Sequence, residues 1–174
     1  KNALIKAGAE ILLEEGVGAL SLRKVAARAG VSHSAPYAHF SDKQALIAAI
    51  SIEGFEQLYA TFDAAGQSYP EDAAWMLVEV SYAYVQFAQQ SPAFFKLMFS
   101  GILENESAIP ELVDVAHKNF QRLVDLVRRC QQAGVLSPFE SEELLAIRLW
   151  SLVHGFTALL LERQFSRTLL QRFD

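Results

Sequence analysis

Residues 26–46 read "AARAGVSHSAPYAHFSDKQAL". Gly30, two histidines (His33 and His39), Pro36 and Tyr37 interrupt a stretch that otherwise carries helix-forming residues. Such a cluster serves either a catalytic site or a surface shaped to fit another macromolecule. The flanking residues favour a surface. In "LSLRKVAARAG", residues 20–30, Ser21 is an N-cap and Leu20 with Val25 forms a hydrophobic staple. Leu22, Val25, Ala26 and Ala29 make one apolar stripe, and Gly30 supplies the left-handed residue that stops the helix. Ser32 is placed to cap a short third helix reaching about His39, with Val31 and Phe40 as core anchors. Ser41 and Gln44 read as a capping box opening a long fourth helix. Upstream, Ala3, Leu4, Ala7, Ile11 and Leu12 keep helical spacing until Gly16 and Gly18 end it.

Two short helices joined by a Gly-containing turn make a helix-turn-helix. In that arrangement the second helix enters the major groove of double-stranded DNA and offers its first residues to base edges. Here these are His33, Ser34, Ala35, Pro36, Tyr37 and His39. Pro36 is expected in the first helical turn, where few amide hydrogens have helical partners, and its ring beside Ala35 suits a thymine methyl. His33 and Ser34 offer hydrogen bonds to bases. Tyr37, His39, Arg23, Lys43 and the helix starts at Ser21, Ser32 and Ser41 suit phosphate contacts. The same shape also occurs in proteins that never touch DNA. His33 and His39 lie six apart with no Cys or carboxylate cluster, so no metal is expected.

The stretch Ser21–Leu46 resembles the DNA-binding signature of the TetR/AcrR family of bacterial transcriptional regulators. The likeness rests on Ser21, Val25, Ala26, Ala29, Gly30, Val31, Ser32, Tyr37, His39, Phe40, Lys43 and Leu46. It departs at Ala35-Pro36, where many members carry Thr-Leu. The departure bears on the base sequence read rather than on the binding mode. The resemblance implies an N-terminal three-helix DNA-binding domain, residues 1–45, and a C-terminal helical effector-binding and dimerisation domain, residues 46–174.

The composition agrees with that division. Apolar residues make up 52% of 174, as in a globular chain, and the net charge is −5. Residues 1–43 carry six Lys/Arg against four acids, and the remainder nine against sixteen. A mildly basic head on an acidic body suits a DNA reader with a separate regulatory part. A single cysteine, Cys130, rules out an internal disulfide and fits a reducing cytoplasm. The opening segment is charged and amphipathic, unlike a secretory signal. It begins at Lys1, so further residues are expected upstream, where a basic arm could reach the minor groove. No uncharged run has the length of a membrane span, and Leu149–Leu161 is interrupted by His154.

Every break in the body carries helix punctuation, and no strand alternation appears, so the class is all-α. Pro70 falls in the first turn of a helix running to Gln90, and Pro92 opens a short aromatic helix. Pro110 starts a helix ending at Gly134. Ser137 to Glu140 reads as a capping box for a last helix to about Gln164. The body is dense in aromatics and Met, most of which belong to a core. Given the effector domain that the resemblance implies, Phe62, Trp75, Met76, Tyr82, Phe87, Phe95, Met98, Phe99, Trp150 and His154 are the candidates for lining a pocket. Its ligand is expected to be small and apolar or aromatic. "WSLVHG", residues 150–155, resembles a Trp…His-Gly motif of one TetR C-terminal subgroup. The last helix is apolar nearly all round and has to be covered on more than one side. With the preceding helix it is expected to form a homodimer interface through Leu123, Val127, Leu145, Leu149, Leu152, Gly155, Phe156 and Leu159.

No phosphate loop, nucleophile elbow or metal-ligand spacing is present, and Glu14-Glu15 and Glu142-Glu143 read as solvated charge at helix ends. Neither catalysis nor a cofactor is expected. The reading is a cytoplasmic, homodimeric, ligand-released repressor acting on a palindromic operator. The alternative is a helical ligand-binding or protein-interaction module with a vestigial helix-turn-helix.

Overall fold

The computed structural model describes residues 1–103 and 105–165. Among them the architecture is all-α: α1 (Asn2–Glu15), α2 (Leu22–Arg28), α3 (Lys43–Gly66), α4 (Ala73–Gln90), α5 (Pro92–Met98), α6 (Pro110–Gln132) and α7 (Glu142–Leu161). Short 3-10 turns occupy Val17–Ala19, Ala35–Ala38 and Glu106–Ala108. The chain forms two compact units, Lys1–Gln57 with Ser91–Ala116, and Leu58–Gln90 with His117–Asp174. These units part elsewhere than at residues 45 and 46. α5 packs on α1, which groups it with the head although it is distant in sequence.

In the first unit α1 and α2 pack together, and Ile11, Val25, Leu46 and Ile50 are each 0% exposed. Gly8 admits a close neighbour, since a Cβ there would lie 2.8 Å from Ile50 Cδ1. Ser21 caps α2 as expected, accepting from the Lys24 amide at 3.2 Å. The start of α3 is capped differently from expectation. Asp42 Oδ1 accepts the Ala45 amide at 2.8 Å, and Ser41 donates its hydroxyl hydrogen to Asp42. A carboxylate is the stronger acceptor and also suits the positive helix end. Hydrogen bonding to the Ala45 amide and to Ser41 holds the Asp42 carboxyl below its ordinary range. Val31, expected as an anchor, is 39% exposed, while Phe40 is buried.

In the second unit α4 packs on α7. Val124, Val127, Leu145 and Ala146 form a core cluster, with Phe120, Leu123, Leu136 and Leu149 against it. Asp72 caps α4 through the Ala74 and Trp75 amides, both at 3.0 Å. α7 begins at Glu142 with Ser141 as its cap, not at the earlier Ser137–Glu140 box. That segment is instead the turn, held by the Gln131 amide donating to the Ser137 and Glu140 carbonyls at 2.7 and 2.9 Å. Glu142 is not merely solvated either, because Arg128 Nε donates to both its carboxylate oxygens at 3.0 and 2.8 Å. Cys130 is buried and donates to the Ala73 carbonyl at 3.3 Å, and burial pushes its thiol pKa up.

α7 is long and apolar enough to cross a membrane by length and composition, unlike the sequence expectation. The difference lies in counting: Arg148 and His154 break an uncharged run without making the whole segment polar. Only 17% of its most apolar window is buried within the protomer.

Leu46 sits 0% exposed in the core of the first unit. Leu46→Ala is expected to cost about 3 kcal/mol, from lost transfer energy plus a cavity, read as a lower urea midpoint. An unchanged midpoint would remove Leu46 from the core that holds the head together.

Candidate functional site

The head builds its reading surface from one backbone turn. Gly30 has φ +68°, and the Val31 amide donates to the Ala26 carbonyl at 3.0 Å while the Gly30 amide donates to that of Ala27 at 3.2 Å. This pair of bonds is the Schellman closure of α2. The recognition segment that follows is shorter than the sequence suggests. It is a 3-10 turn over Ala35–Ala38, and Ser32 does not cap it. Pro36 brings no amide hydrogen, so the Ala35 amide bonds back to the Ser32 carbonyl at 3.0 Å instead. The Ser32 and Ser34 hydroxyls pair with each other at 3.1 Å.

Exposure sorts the expected DNA-contacting residues. Ser21, Arg23, Ser32, His33, Ser34, Tyr37 and His39 are exposed, and Ala35 and Lys43 are partly so. Tyr37 is 62% exposed, enough to project as a side chain rather than as a core aromatic. Pro36 is the exception. It is among the fully buried side chains and faces the core, which overturns its assignment as a thymine-methyl contact. A rigid ring with no donor is well suited to close a core beneath a short turn. The Lys43 ammonium donates to the Val17 carbonyl, so it enters any phosphate contact already oriented. The α3 start carries the Asp42 carboxylate, which fills the place a phosphate would take.

Electrostatics refine the charge count. Arg28 pairs with Glu14 at 3.0 Å and lies near Glu15 and Glu10, while Lys24 pairs with Glu15. The Glu14 hydrogen bond leads the causes that raise the Arg28 pKa. These two cations bridge α2 to α1 at the surface, which leaves Arg23 as the cation of α2 with no ion pair among the described residues.

The second unit holds two features. The first is a hydrogen-bonded relay in which Trp150 Nε1 donates to the Tyr84 oxygen at 3.2 Å and that hydroxyl lies 2.7 Å from His154 Nδ1. Indole nitrogen is a donor only, so the Tyr84 oxygen accepts from it, and the direction of the Tyr84–His154 bond follows the His154 tautomer. Burial raises the Tyr84 pKa and lowers that of His154. The second is a cavity of about 80 Å³ lined by Phe62, Gly66, Met76, Val80, Arg122, Leu123, Asp125, Leu126 and Arg129.

The expected pocket residues therefore separate. Phe62 and Met76 line the cavity, and Trp150 and His154 belong to the relay. Trp75 lies at the surface against Tyr69, and Tyr82 is also exposed, because both fall on the outer face of α4. Phe87 is core. Phe95, Met98 and Phe99 belong to the first unit, where Phe99 packs edge-on against Phe55 and Phe95. Helical spacing marked these residues as apolar without saying which neighbour each would meet. Sequence reasoning passed over Arg122, Asp125 and Arg129. The stripe Arg122, Asp125, Leu126, Arg129 at i, i+3, i+4, i+7 was legible on one helix face.

The expected dimer residues also divide. Val127 and Leu145 are 0% and 9% exposed within the α6–α7 core, Leu149 packs against that core, and Leu123 lines the cavity. They are consumed inside the protomer, since α6 and α7 bury their mutual faces first. Leu152, Phe156 and Leu159 are 71%, 48% and 47% exposed, and Gly155 lies on the same face of α7.

A helix-turn-helix with an exposed surface, followed by a helical body, is an arrangement that DNA-binding transcriptional regulators use. The model for bacterial regulatory proteins of the tetR family matches residues 4–50, and that for the tetracyclin repressor-like C-terminal domain matches residues 77–173. The chain belongs to the TetR family of bacterial transcriptional regulators. It is 30% identical over 172 residues to the uncharacterized HTH-type transcriptional regulator YobS of Bacillus subtilis, covering 96% of this chain and 82% of YobS. A solved protein of unknown function from Rhodococcus sp. RHA1 is 30% identical, with a TM-score of 0.82 over 95% of this chain and 84% of that one. FadR from Bacillus subtilis, solved in complex with stearoyl-CoA, shares the fold at 16% identity, with a TM-score of 0.77 over 94% of this chain and 88% of FadR.

The lowered His154 pKa has a signed consequence. Between that value and the ordinary 6.5 the unfolded chain binds more protons, so stability rises with pH through this window and is lost as pH falls across it. Denaturation at pH 5 and pH 7 is expected to show a smaller difference for His154→Gln than for the parent. An equal difference would remove His154 as its source.

Proposed function

We propose that this regulator is a cytoplasmic homodimer that represses transcription and is released from a palindromic operator by a small effector, without membrane insertion or catalysis. Residues 1–45 act as the reading head and residues 46–174 as the effector and dimer body. The observation that carries the dimer is the outer face of α7. Leu144, Ile147, Leu152, Phe156 and Leu159 lie along it, each more than 40% exposed. An apolar stripe of that length is unfavourable in water, and a second copy meeting it across a two-fold axis covers both stripes at once. The C-terminal match to a tetracyclin repressor-like domain supports a soluble partner helix over lipid.

His33, Ser34, Tyr37 and His39 read DNA, with Arg23 and Lys43 setting register on phosphates. Two heads then occupy major grooves about 34 Å apart. An effector releases DNA only through its differential affinity for two conformers. About 100-fold, or about 2.7 kcal/mol, shifts occupancy usefully. FadR, with its bound stearoyl-CoA, supports a body of this fold as a place for an effector.

Selection from a random duplex pool at about 0.15 M salt is expected to enrich a palindrome with half-sites one turn apart. Tyr37→Ala should then weaken operator binding about tenfold by fluorescence anisotropy, and unchanged affinity would sink the assigned reading surface. A Cβ at Gly155 meets nothing within 4 Å in the protomer. Gly155→Leu is thus expected to leave the fold intact while converting dimer to monomer in sedimentation. A variant that stays dimeric would place the interface elsewhere.

A further inference from the structure

The cavity of the second unit is apolar on one side and charged on the other. Phe62, Met76, Val80 and Leu126 supply the apolar wall, and Arg122, Asp125 and Arg129 come from one stripe of α6. Two of these charges are already matched. Arg122 pairs with Asp63 and stacks over the Tyr59 ring at 5.8 Å, and Asp125 accepts from Arg128 at 2.8 Å. Arg129 is not. Its Nη2 donates to the Pro70 carbonyl at 2.6 Å, and among the described residues no carboxylate pairs with it. Arg129 is exposed at the cavity mouth, and a guanidinium carries five N–H donors in a fork that fits a carboxylate, so its remaining donors face solvent where an anion can reach them.

Size and charge then narrow the occupant. At about 80 Å³ the space is well below the roughly 300–1,000 Å³ of sites for drug-sized ligands. It matches roughly three water-sized groups at about 30 Å³ each, the size of a three-carbon tail, and leaves a headgroup at the mouth, where Arg129 is exposed. One positive charge without an ion pair suits a monoanion, because the Arg122–Asp63 and Arg128–Asp125 pairs add no net positive charge for a second negative one. We propose that the cavity takes a small monocarboxylate, its short apolar tail against Phe62, Met76 and Val80 and its carboxylate on Arg129. This rests on the effector-responsive reading of the body and gives that effector a chemical class.

Calorimetry on the whole chain, with butyrate, n-butanol, n-butylamine and inorganic phosphate as probes, tests the assignment. Butyrate is expected to bind at least about tenfold more tightly than the other three. Arg129→Gln should weaken butyrate about ten- to a hundredfold, the effect of losing a charged hydrogen-bond pair, with the melting midpoint unchanged. Equal binding of butanol or butylamine, tighter binding of phosphate, an unaffected variant, or no binding of any probe would each overturn it. Should the variant fail to fold, the ranking of the four probes on the parent chain decides alone. Operator binding by the ligand-free protein, followed separately by anisotropy, reports on the regulator reading and not on this one.

Discussion

The left-handed turn at Gly30 sets the geometry of the head. With φ at +68°, the Val31 and Gly30 amides reach back to Ala26 and Ala27, closing α2 and sending the chain into the recognition segment. A β-carbon at this position would strain the backbone, since side chains other than glycine disfavour that region. Everything downstream inherits the direction of this turn. Pro36 and Phe40 are carried into the core while His33, Ser34 and Tyr37 are carried outward. α2 buries Leu22, Val25 and Ala26 in the head, and the ion pairs of Arg28 and Lys24 bridge it to α1 at the surface.

The body uses a different principle. α4 meets α7 through a hydrogen-bonded chain, Trp150 to Tyr84 to His154. A buried phenol hydrogen-bonded on two sides rigidifies the contact, whereas an apolar contact at the same place would allow sliding. α6 supplies an amphipathic wall with two differently used stripes. One stripe packs with α7 through Val124 and Val127, and another lines the cavity through Arg122 and Arg129.

Much of the head was legible in residue order because its signals are local. Ser21 as a cap, Gly30 as a stop and Phe40 as a buried anchor each depend on neighbours a few positions away. The local signals failed where two residues competed for one role. Asp42 outbid Ser41 for the α3 cap, and Ser141 outcompeted Ser137 for that of α7. Pro36 looked like an outward-facing residue because most of its neighbours are exposed, yet its lack of a donor fits the interior better. In the body the apolar pattern located faces but not their partners. Leu145 and Leu152 are equally hydrophobic, and only the tertiary arrangement buries one and exposes the other. Similarly, Phe95 and Phe62 belong to different units although both read as pocket aromatics.

The burial of Pro36 has a consequence for how such a regulator diverges. The residues that support the turn, Gly30, Pro36 and Phe40, are distinct from those that face outward, His33, Ser34, Tyr37 and His39. Exposed positions away from caps and packing tolerate substitution within about ±0.5 kcal/mol. Substitutions at these outward positions can thus change the chemistry of the exposed surface while the buried scaffold that presents them keeps its packing.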